Sequence, residues 1–334
     1  MRAAGDIPEP PANAAVVGCG VIGAAWIARM RLRGVDVRAF DPMPNAASVI
    51  ESVTSDAVRA WDDLGLPTDR LGGLTMCSSI DAAADGAELV QECVPERLDL
   101  KRETLATIDA ATDGVIASST SGFTPTVLAE ALERPDRLVV GHPFNPVYLI
   151  PLVEVVGGAS TSTTTIDRAM SIYRSLGMKP LHVRKEIDAF IADRLLEAVW
   201  RESLWLIDDG IATTEEIDDA IRYGFGLRWA QMGLFETYRT AGGAGGMRHF
   251  RSQFGPALEW PWTKLMDTPE WTDELVEKIA SQSDEQSGDR TIAQLLAERD
   301  RNLVAILKAL EGVDAGAGQT LAALRNTPPT TQMT

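Results

Sequence analysis

A histidine and a glutamate, His142 and Glu154, form the residue pair in this sequence best suited to proton transfer. Each lies in a short apolar segment, and a proline-rich stretch joins the two segments. A carboxylate that accepts a hydrogen bond from one imidazole nitrogen fixes the tautomer, leaves the other nitrogen free to take a proton, and stabilises the imidazolium that forms. The chain has only 3 histidines, so few other side chains can act as a base near neutral pH. The alternative interpretation is a core histidine beside a surface glutamate.

A glycine-rich turn near the start of the chain predicts a dinucleotide site. The apolar segment 14–17 is followed at once by Gly-x-Gly-x-x-Gly and then by a helix-like stretch. Gly18 permits a tight turn, Gly20 lets a pyrophosphate approach the backbone, and Gly23 lets helix and strand pack closely. The cofactor-binding residues predicted in this turn are Gly18, Gly20, Val21, Ile22 and Gly23. The alternative is a strand–turn–helix that binds no nucleotide.

The residue that follows the second strand-like segment predicts which dinucleotide binds. Segment 35–40 is followed directly by Asp41. This acid is placed to accept a hydrogen bond from a ribose 2′-hydroxyl and to repel a 2′-phosphate. The predicted cofactor is therefore NAD rather than NADP. A bound dinucleotide together with the His142–Glu154 pair indicates a hydride transfer coupled to a proton transfer.

Composition narrows the class of protein. The chain has 334 residues, which suits two domains, and a formal net charge of −17, which argues against nucleic acid and anionic membrane surfaces as partners. No apolar run is long enough to span a bilayer, and the first residues contain no apolar signal core. Cys19, Cys77 and Cys93 lack metal-type spacing, so we predict no metal site and a reduced, cytoplasmic protein.

Strand-like and helix-like segments alternate through the first half of the chain, whereas the second half is helical. The alternation predicts an α/β fold with a doubly wound, Rossmann-type sheet. We therefore predict an NAD-binding domain over residues 1–188 and a mainly helical substrate and dimerisation domain over residues 189–315. Residues 316–334, rich in Ala, Gly, Thr and Pro, are predicted to be a flexible tail.

Several short motifs carry a family resemblance that extends roughly from residue 14 to residue 263. The most specific are segments 118–122, 141–146, 183–186, 190–197, 247–250 and 253–257. Together they resemble the 3-hydroxyacyl-coenzyme A dehydrogenase superfamily and, within it, the branch of L-carnitine dehydrogenases. The last two segments point to that branch rather than to the superfamily in general.

The resemblance implies roles for individual residues and an assembly. It implies that His142 is the base, that Glu154 pairs with it, and that Ser121 contacts the substrate hydroxyl. It also implies that Glu96 and Lys101 line the cofactor and that the helical domain forms a homodimer. For Glu96 and Lys101 the alternative is a pair of solvated charges at a helix start.

A carnitine substrate requires groups that recognise a quaternary ammonium, which cannot donate a hydrogen bond. Aromatic faces and negative charge suit it, and the candidates are Phe144, Phe254 and Asp193, with Asn145 beside them. Asp193 stands where the superfamily commonly has an asparagine. The alternatives are that the two rings pack in the core and that Asp193 pairs with a neighbouring arginine. For the substrate carboxylate, the candidates are Arg228, Lys185 and Ser121.

Together with the glycine turn and the His142–Glu154 pair, the resemblance implies an NAD-dependent enzyme that oxidises the 3-hydroxyl of L-carnitine, a small zwitterion, to 3-dehydrocarnitine. A related dehydrogenase acting on gulonate or a short 3-hydroxyacyl thioester is the enzymatic alternative. An NAD-binding structural or sensor protein is the alternative outside enzymes.

Overall fold

The computed structural model describes residues 7–241 and 291–327, together with residues 263, 270, 272–275, 277–278 and 289. The chain divides into two compact units. The first comprises Met1–Asp193 and Asp300–Thr334, and the second comprises Arg194–Arg299. The boundary after Asp193 lies five residues beyond the predicted one at 188, and the chain returns to the first unit at Asp300.

An eight-stranded sheet forms the centre of the first unit. Its strands are β1 (Asn13–Val17), β2 (Asp36–Phe40), β3 (Leu74–Met76), β4 (Leu89–Glu92), β5 (Val115–Ser118), β6 (Leu138–Pro143), β7 (Leu152–Gly157) and β8 (Lys179–Val183). Their order is β3-β2-β1-β4-β5-β6-β7-β8, and every neighbouring pair is parallel except β6 and β7. The order reverses between β1 and β4, so a crevice opens at the carboxyl ends of these strands.

Helices flank the sheet and make up the described part of the second unit. They are α1 (Val21–Leu32), α2 (Ala46–Leu64), α3 (Ile80–Ala84), α4 (Leu98–Ala111), α5 (Pro125–Ala129), α6 (Thr163–Ser175), α7 (Ala192–Asp208), α8 (Thr214–Ala220), α9 (Gly226–Ala241), α10 (Ile292–Gly312) and α11 (Gly318–Asn326). The predicted doubly wound α/β sheet followed by a helical segment is confirmed. Among the described elements, β3 and α3 had no sequence prediction, because each is too short to show a periodicity.

The central strands are apolar along their whole length because helices cover both faces of the sheet. In β1, the four residues 14–17 are at most 1% exposed. Two separate apolar clusters lie on the two faces, one containing Val16 and Trp26 and the other containing Val17 and Leu105. Such burial on both sides is typical of parallel sheets and fixes the strand ends that carry functional residues.

A short chain of hydrogen bonds crosses this apolar interior. The Tyr173 hydroxyl donates to Gln91 Oε1 at 2.8 Å, and Gln91 Nε2 donates to Ser119 Oγ at 2.8 Å. Trp26 Nε1 donates to the same Ser119 oxygen at 3.2 Å. A Cβ added at Gly141 would overlap the Tyr173 hydroxyl. The glycine that precedes His142 is therefore required by the packing of α6 against β6.

Helix α11 replaces part of the predicted flexible tail. Leu321 and Leu324 are 3% and 4% exposed, and Leu324 lies over Gly177 of the first unit. Arg33 Nη1 donates to the Thr327 carbonyl at 2.9 Å, which ties the end of α11 to α1. The prediction rested on average composition, whereas two leucines three residues apart give this short helix one apolar face to bury. Residues 328–334 lie outside the described residues.

No described helix is both long enough and apolar enough to cross a bilayer.

Candidate active site

His142 and Glu154 face each other across two antiparallel strands. They are directly paired in the register of β6 and β7, and His142 Nδ1 lies 3.1 Å from Glu154 Oε2. Glu154 has no exposed surface and His142 is 6% exposed. The alternative of a surface glutamate is therefore excluded. Because Glu154 accepts from Nδ1, the proton-accepting position of the neutral imidazole is Nε2.

The second oxygen of Glu154 is held by backbone amides at the start of α7. Glu154 Oε1 accepts from Ile191 N at 2.9 Å and from Ala192 N at 3.0 Å. The turn that brings these amides together contains two non-glycine residues in the left-handed region, Ala189 (φ 58°) and Phe190 (φ 50°). Each such residue costs roughly 1–2 kcal/mol. The backbone is thus strained in the turn whose amides bind the Glu154 carboxylate.

The imidazole of His142 has a second carboxylate and two aromatic rings around it. His142 Nε2 lies 3.4 Å from Asp193 Oδ2, and the Asp193 side chain is 22% exposed. The Phe144 ring meets the imidazole edge-on at 5.1 Å between centroids, and the Phe190 ring lies at 5.6 Å. The structure thus brings the predicted residues Phe144 and Asp193 to the histidine. Phe190 belongs to a motif in the sequence but, as an apolar residue, had no predicted role in the site.

The glycine turn has the geometry that a bound pyrophosphate requires. Gly18 has a positive φ of 91°, and a Cβ added there would lie 2.7 Å from the Cys93 carbonyl. A Cβ at Gly23 would overlap the Gly18 carbonyl oxygen. At Gly20, by contrast, an added Cβ would meet no heavy atom within 4 Å. Gly20 therefore faces open space directly before α1 begins at Val21, which fits the close approach of a dinucleotide.

Asp41 lies beside the glycine turn at the carboxyl end of β2. Its Oδ2 accepts from Cys19 N at 2.6 Å and its Oδ1 accepts from Met43 N at 2.8 Å. Both oxygens are thereby oriented, and each keeps a lone pair for a ribose hydroxyl. Burial raises the pKa of the Cys19 thiol to about 12, so Cys19 is a small neutral residue in the turn.

Glu96 and Lys101 belong to a partly buried charge network beyond β4. Lys101 Nζ lies 3.0 Å from Glu92 Oε1 and 3.3 Å from Glu96 Oε2, and Lys101 is 1% exposed. Lys101 is therefore not a solvated charge at a helix start. Ser118 Oγ donates to Glu92 Oε2 at 2.5 Å. Burial raises the pKa of Glu92, against the lowering effect of the Lys101 ammonium.

No role was predicted for Glu92, although this residue ends β4 and forms the centre of this network. Its signal was a charged residue at the end of a strand-like segment, nine residues before Lys101. A buried carboxylate needs a partner, so an unexplained acid in a central strand predicts a basic residue within reach.

The remaining residues predicted to contact the substrate are either exposed or outside the described residues. Ser121 is exposed, three residues beyond the end of β5, and Asn145 is exposed, three residues after His142. Lys185 is exposed in the first unit and Arg228 is exposed in the second. Phe254 and the motifs around it, 247–250 and 253–257, lie outside the described residues.

Comparison with protein families gives this arrangement a context. The model of the 3-hydroxyacyl-CoA dehydrogenase NAD-binding domain matches residues 13–187, and the model of the same family's C-terminal domain matches residues 190–288. This chain belongs to the 3-hydroxyacyl-CoA dehydrogenase family. The predictions of an NAD-dependent dehydrogenase and of NAD as its cofactor are thereby confirmed.

Characterised relatives within this dehydrogenase family lie on the branch predicted from the sequence. An L-carnitine dehydrogenase of Mesorhizobium japonicum is 56% identical over 93% of this chain and 87% of that protein. An L-carnitine dehydrogenase/betainyl-CoA thioesterase of Agrobacterium fabrum is 57% identical over 93% of this chain but only 64% of that protein. The chain thus spans less than two thirds of the longer, doubly named relative.

A solved dehydrogenase has a similar structure. It is 5-formyl-3-hydroxy-2-methylpyridine 4-carboxylic acid 5-dehydrogenase, described as an NAD+ dependent dismutase. It is 31% identical, and the match covers 90% of this chain and 99% of that one with a TM-score of 0.77.

Proposed function

We propose that this chain oxidises the 3-hydroxyl group of L-carnitine to 3-dehydrocarnitine, with His142 as the general base. The observation that carries the proposal is the buried His142–Glu154 pair, 3.1 Å apart, at the carboxyl edge of an NAD-binding sheet. The relatives named L-carnitine dehydrogenase support the substrate, because they match over nine tenths of this chain.

The residues divide the work of the reaction between them. Glu154 keeps the proton of the neutral imidazole on Nδ1, so Nε2 takes the proton of the substrate hydroxyl, and the imidazolium formed lies against a buried carboxylate. Ser121 donates a hydrogen bond to the substrate oxygen. The hydride of the carbinol carbon would pass to NAD when this cofactor is bound.

Other residues hold the cofactor. Gly20 and the first turn of α1 would hold the pyrophosphate, because the space at Gly20 is open and the N-terminus of a helix favours a bound phosphate. Asp41 would accept hydrogen bonds from the adenosine ribose, and Glu96 and Lys101 would line the bound cofactor.

Asp193 and Phe144 are the groups we assign to the trimethylammonium end of carnitine. The substrate's ammonium and hydroxyl are separated by only two carbon atoms, so a carboxylate 3.4 Å from the proton-accepting nitrogen lies in the cation's neighbourhood. The Phe144 ring, in contact with the same imidazole, adds an aromatic surface. Asn145 follows on the same loop, Phe254 is the second aromatic candidate, and Arg228, Lys185 and Ser121 remain alternatives for the substrate carboxylate.

A panel of substrates with NAD tests this assignment. The panel contains L-carnitine, its neutral analogue with a tert-butyl group in place of trimethylammonium, and a short 3-hydroxyacyl thioester. The rate of each reaction is measured from the absorbance of the reduced cofactor. We expect the neutral analogue to bind more weakly by about 0.5–2 kcal/mol. Equal turnover of all three would reject carnitine as the preferred substrate.

Asp193→Asn is the matched variant, because the amide keeps the shape of the side chain and removes its charge. We expect the preference for carnitine over the neutral analogue to shrink in this variant, chiefly through KM for carnitine. An unchanged preference would exclude Asp193 from cation recognition.

We also propose a cytoplasmic homodimer assembled through the helical unit. Several large apolar side chains of α7 and α9 are exposed, among them Leu195, Leu196, Trp200 and Phe235. Exposed apolar patches of this kind mark protein interfaces. Light scattering after size exclusion tests the assembly, and a monomer at micromolar concentration would refute it.

A further inference from the structure

The turn that carries Ser121 is bracketed by two hydrogen bonds to one carboxylate oxygen. Thr120, directly before Ser121, donates its hydroxyl to Glu96 Oε1. Gly122, directly after it, donates its backbone N–H to the same oxygen at 3.0 Å. Thr120 Oγ1 also accepts from Phe123 N at 3.0 Å, so the buried threonine closes the turn on its other side.

The other oxygen of Glu96 is fixed from the opposite direction. Glu96 Oε2 lies 3.3 Å from Lys101 Nζ. Lys101 is itself held by Glu92 Oε1 and by the Val94 carbonyl, each at 3.0 Å. The Glu96 side chain is 42% exposed, so it needs these partners to keep one orientation. Its two oxygens thus join a rigid, buried ion pair to an exposed turn.

From this geometry we propose that Glu96 is a positioning residue that sets the location of the Ser121 hydroxyl. The proposal rests on the role given above to Ser121. Glu96 acts on the residues on either side of the serine, and Lys101 and Glu92 hold Glu96 in place. This role is separate from any contact that Glu96 makes with the cofactor.

Thr120 allows the two roles of Glu96 to be separated. Its hydroxyl is directed at Glu96 and away from solvent, since Thr120 has no exposed surface. Thr120→Val removes the hydroxyl and keeps the shape, while Thr120→Ser keeps the hydroxyl. The first variant loosens the turn and leaves the Glu96 carboxylate available to the cofactor.

The experiment is a double-mutant cycle on the full chain. Thr120→Val, Thr120→Ser, Ser121→Ala and Thr120→Val/Ser121→Ala are compared for kcat and KM, using L-carnitine or the panel substrate that reduces NAD fastest. The Kd for NAD is measured by fluorescence quenching. Asp99→Asn is the matched control, because this exposed carboxylate on α4 pairs with the exposed Arg97.

We expect Thr120→Val to lower kcat/KM by about tenfold to a hundredfold, the scale expected for a misplaced substrate-positioning group, while Thr120→Ser and the control stay near wild type. In the Ser121→Ala background the same change should cost less than about twofold, because neighbours that act through one another are not additive. The Kd for NAD should change little.

Two results would overturn the proposal. Fully additive costs of Thr120→Val and Ser121→Ala would show that the turn does not act through the serine. Wild-type activity of Ser121→Ala, with a loss in Thr120→Val, would show that Glu96 and Thr120 hold some other group. In either case the assignment of His142 as the base is tested separately by the kcat of His142→Ala.

Discussion

Replacing Glu154 by glutamine tests whether this residue sets the tautomer of His142. The wild-type carboxylate accepts three hydrogen bonds, one from His142 Nδ1 and two from the amides of Ile191 and Ala192. A glutamine offers one oxygen and one NH₂ group. If the oxygen serves the two amides, the NH₂ group faces Nδ1, which must then accept. The proton of the neutral imidazole moves to Nε2, where it blocks the base.

The expected loss in kcat is about two to four orders of magnitude, the range for removal of a general base. Stability should change by less than about 1.5 kcal/mol, because both backbone amides still have an oxygen acceptor. Glu154→Ala is the contrasting variant. It leaves the partly buried N–H groups of Ile191 and Ala192 without that acceptor, at up to about 1–3 kcal/mol each, so it should lose both activity and stability.

The assay combines steady-state kinetics with urea unfolding, and imidazole nitrogen shifts by NMR report the tautomer directly. A Glu154→Gln enzyme with wild-type kcat would refute the tautomer argument. A Glu154→Ala enzyme with unchanged stability would refute the claim that this carboxylate anchors the start of α7.

Three further predictions concern the cofactor, the packing behind His142 and the end of the chain. Asp41→Ala should narrow the preference for NAD over NADP, measured as the ratio of kcat/KM values, because the charge that repels a 2′-phosphate is gone; an unchanged ratio would count against Asp41. Gly141→Ala should destabilise the protein by about 1–3 kcal/mol in urea unfolding, through overlap with the Tyr173 hydroxyl, and Tyr173→Phe should relieve part of that cost; wild-type stability would contradict this. Truncation after Gly312 should cost at least about 4 kcal/mol, because α11 buries two leucines; a truncated chain as stable as the full one would show that α11 contributes nothing.

Local patterns were sufficient to predict most strands and helices between residues 13 and 183, and the proximity of His142 and Glu154. Helices α2 and α4 begin and end where the sequence predicted, at 46–64 and 98–111, because their apolar spacing is long and regular. The pairing of His142 with Glu154 followed from their types and from two short apolar segments. Those segments become adjacent antiparallel strands.

What the sequence did not predict depends on contacts between distant residues. Ala189 and Phe190 adopt positive φ values although neither is a glycine. Their residue types therefore did not predict the turn that supplies two backbone amides to Glu154. The burial of Glu92 and Lys101 arises only when β4 and α4 pack together. Helix α11 depends on Gly177, about 140 residues earlier in the chain, which leaves room for Leu324.

The discontinuity of the first unit has a consequence for how the protein is made. During synthesis the sheet and its covering helices leave the ribosome first, then all of residues 194–299, and only afterwards the helix that covers Gly177. Domains fold as units while the chain emerges, so the apolar surface around Gly177 stays open to water until α11 has been synthesised. The nascent first unit is therefore most prone to aggregate between the emergence of residue 193 and that of residue 318, and a ribosome stalled within this interval would hold it in that state.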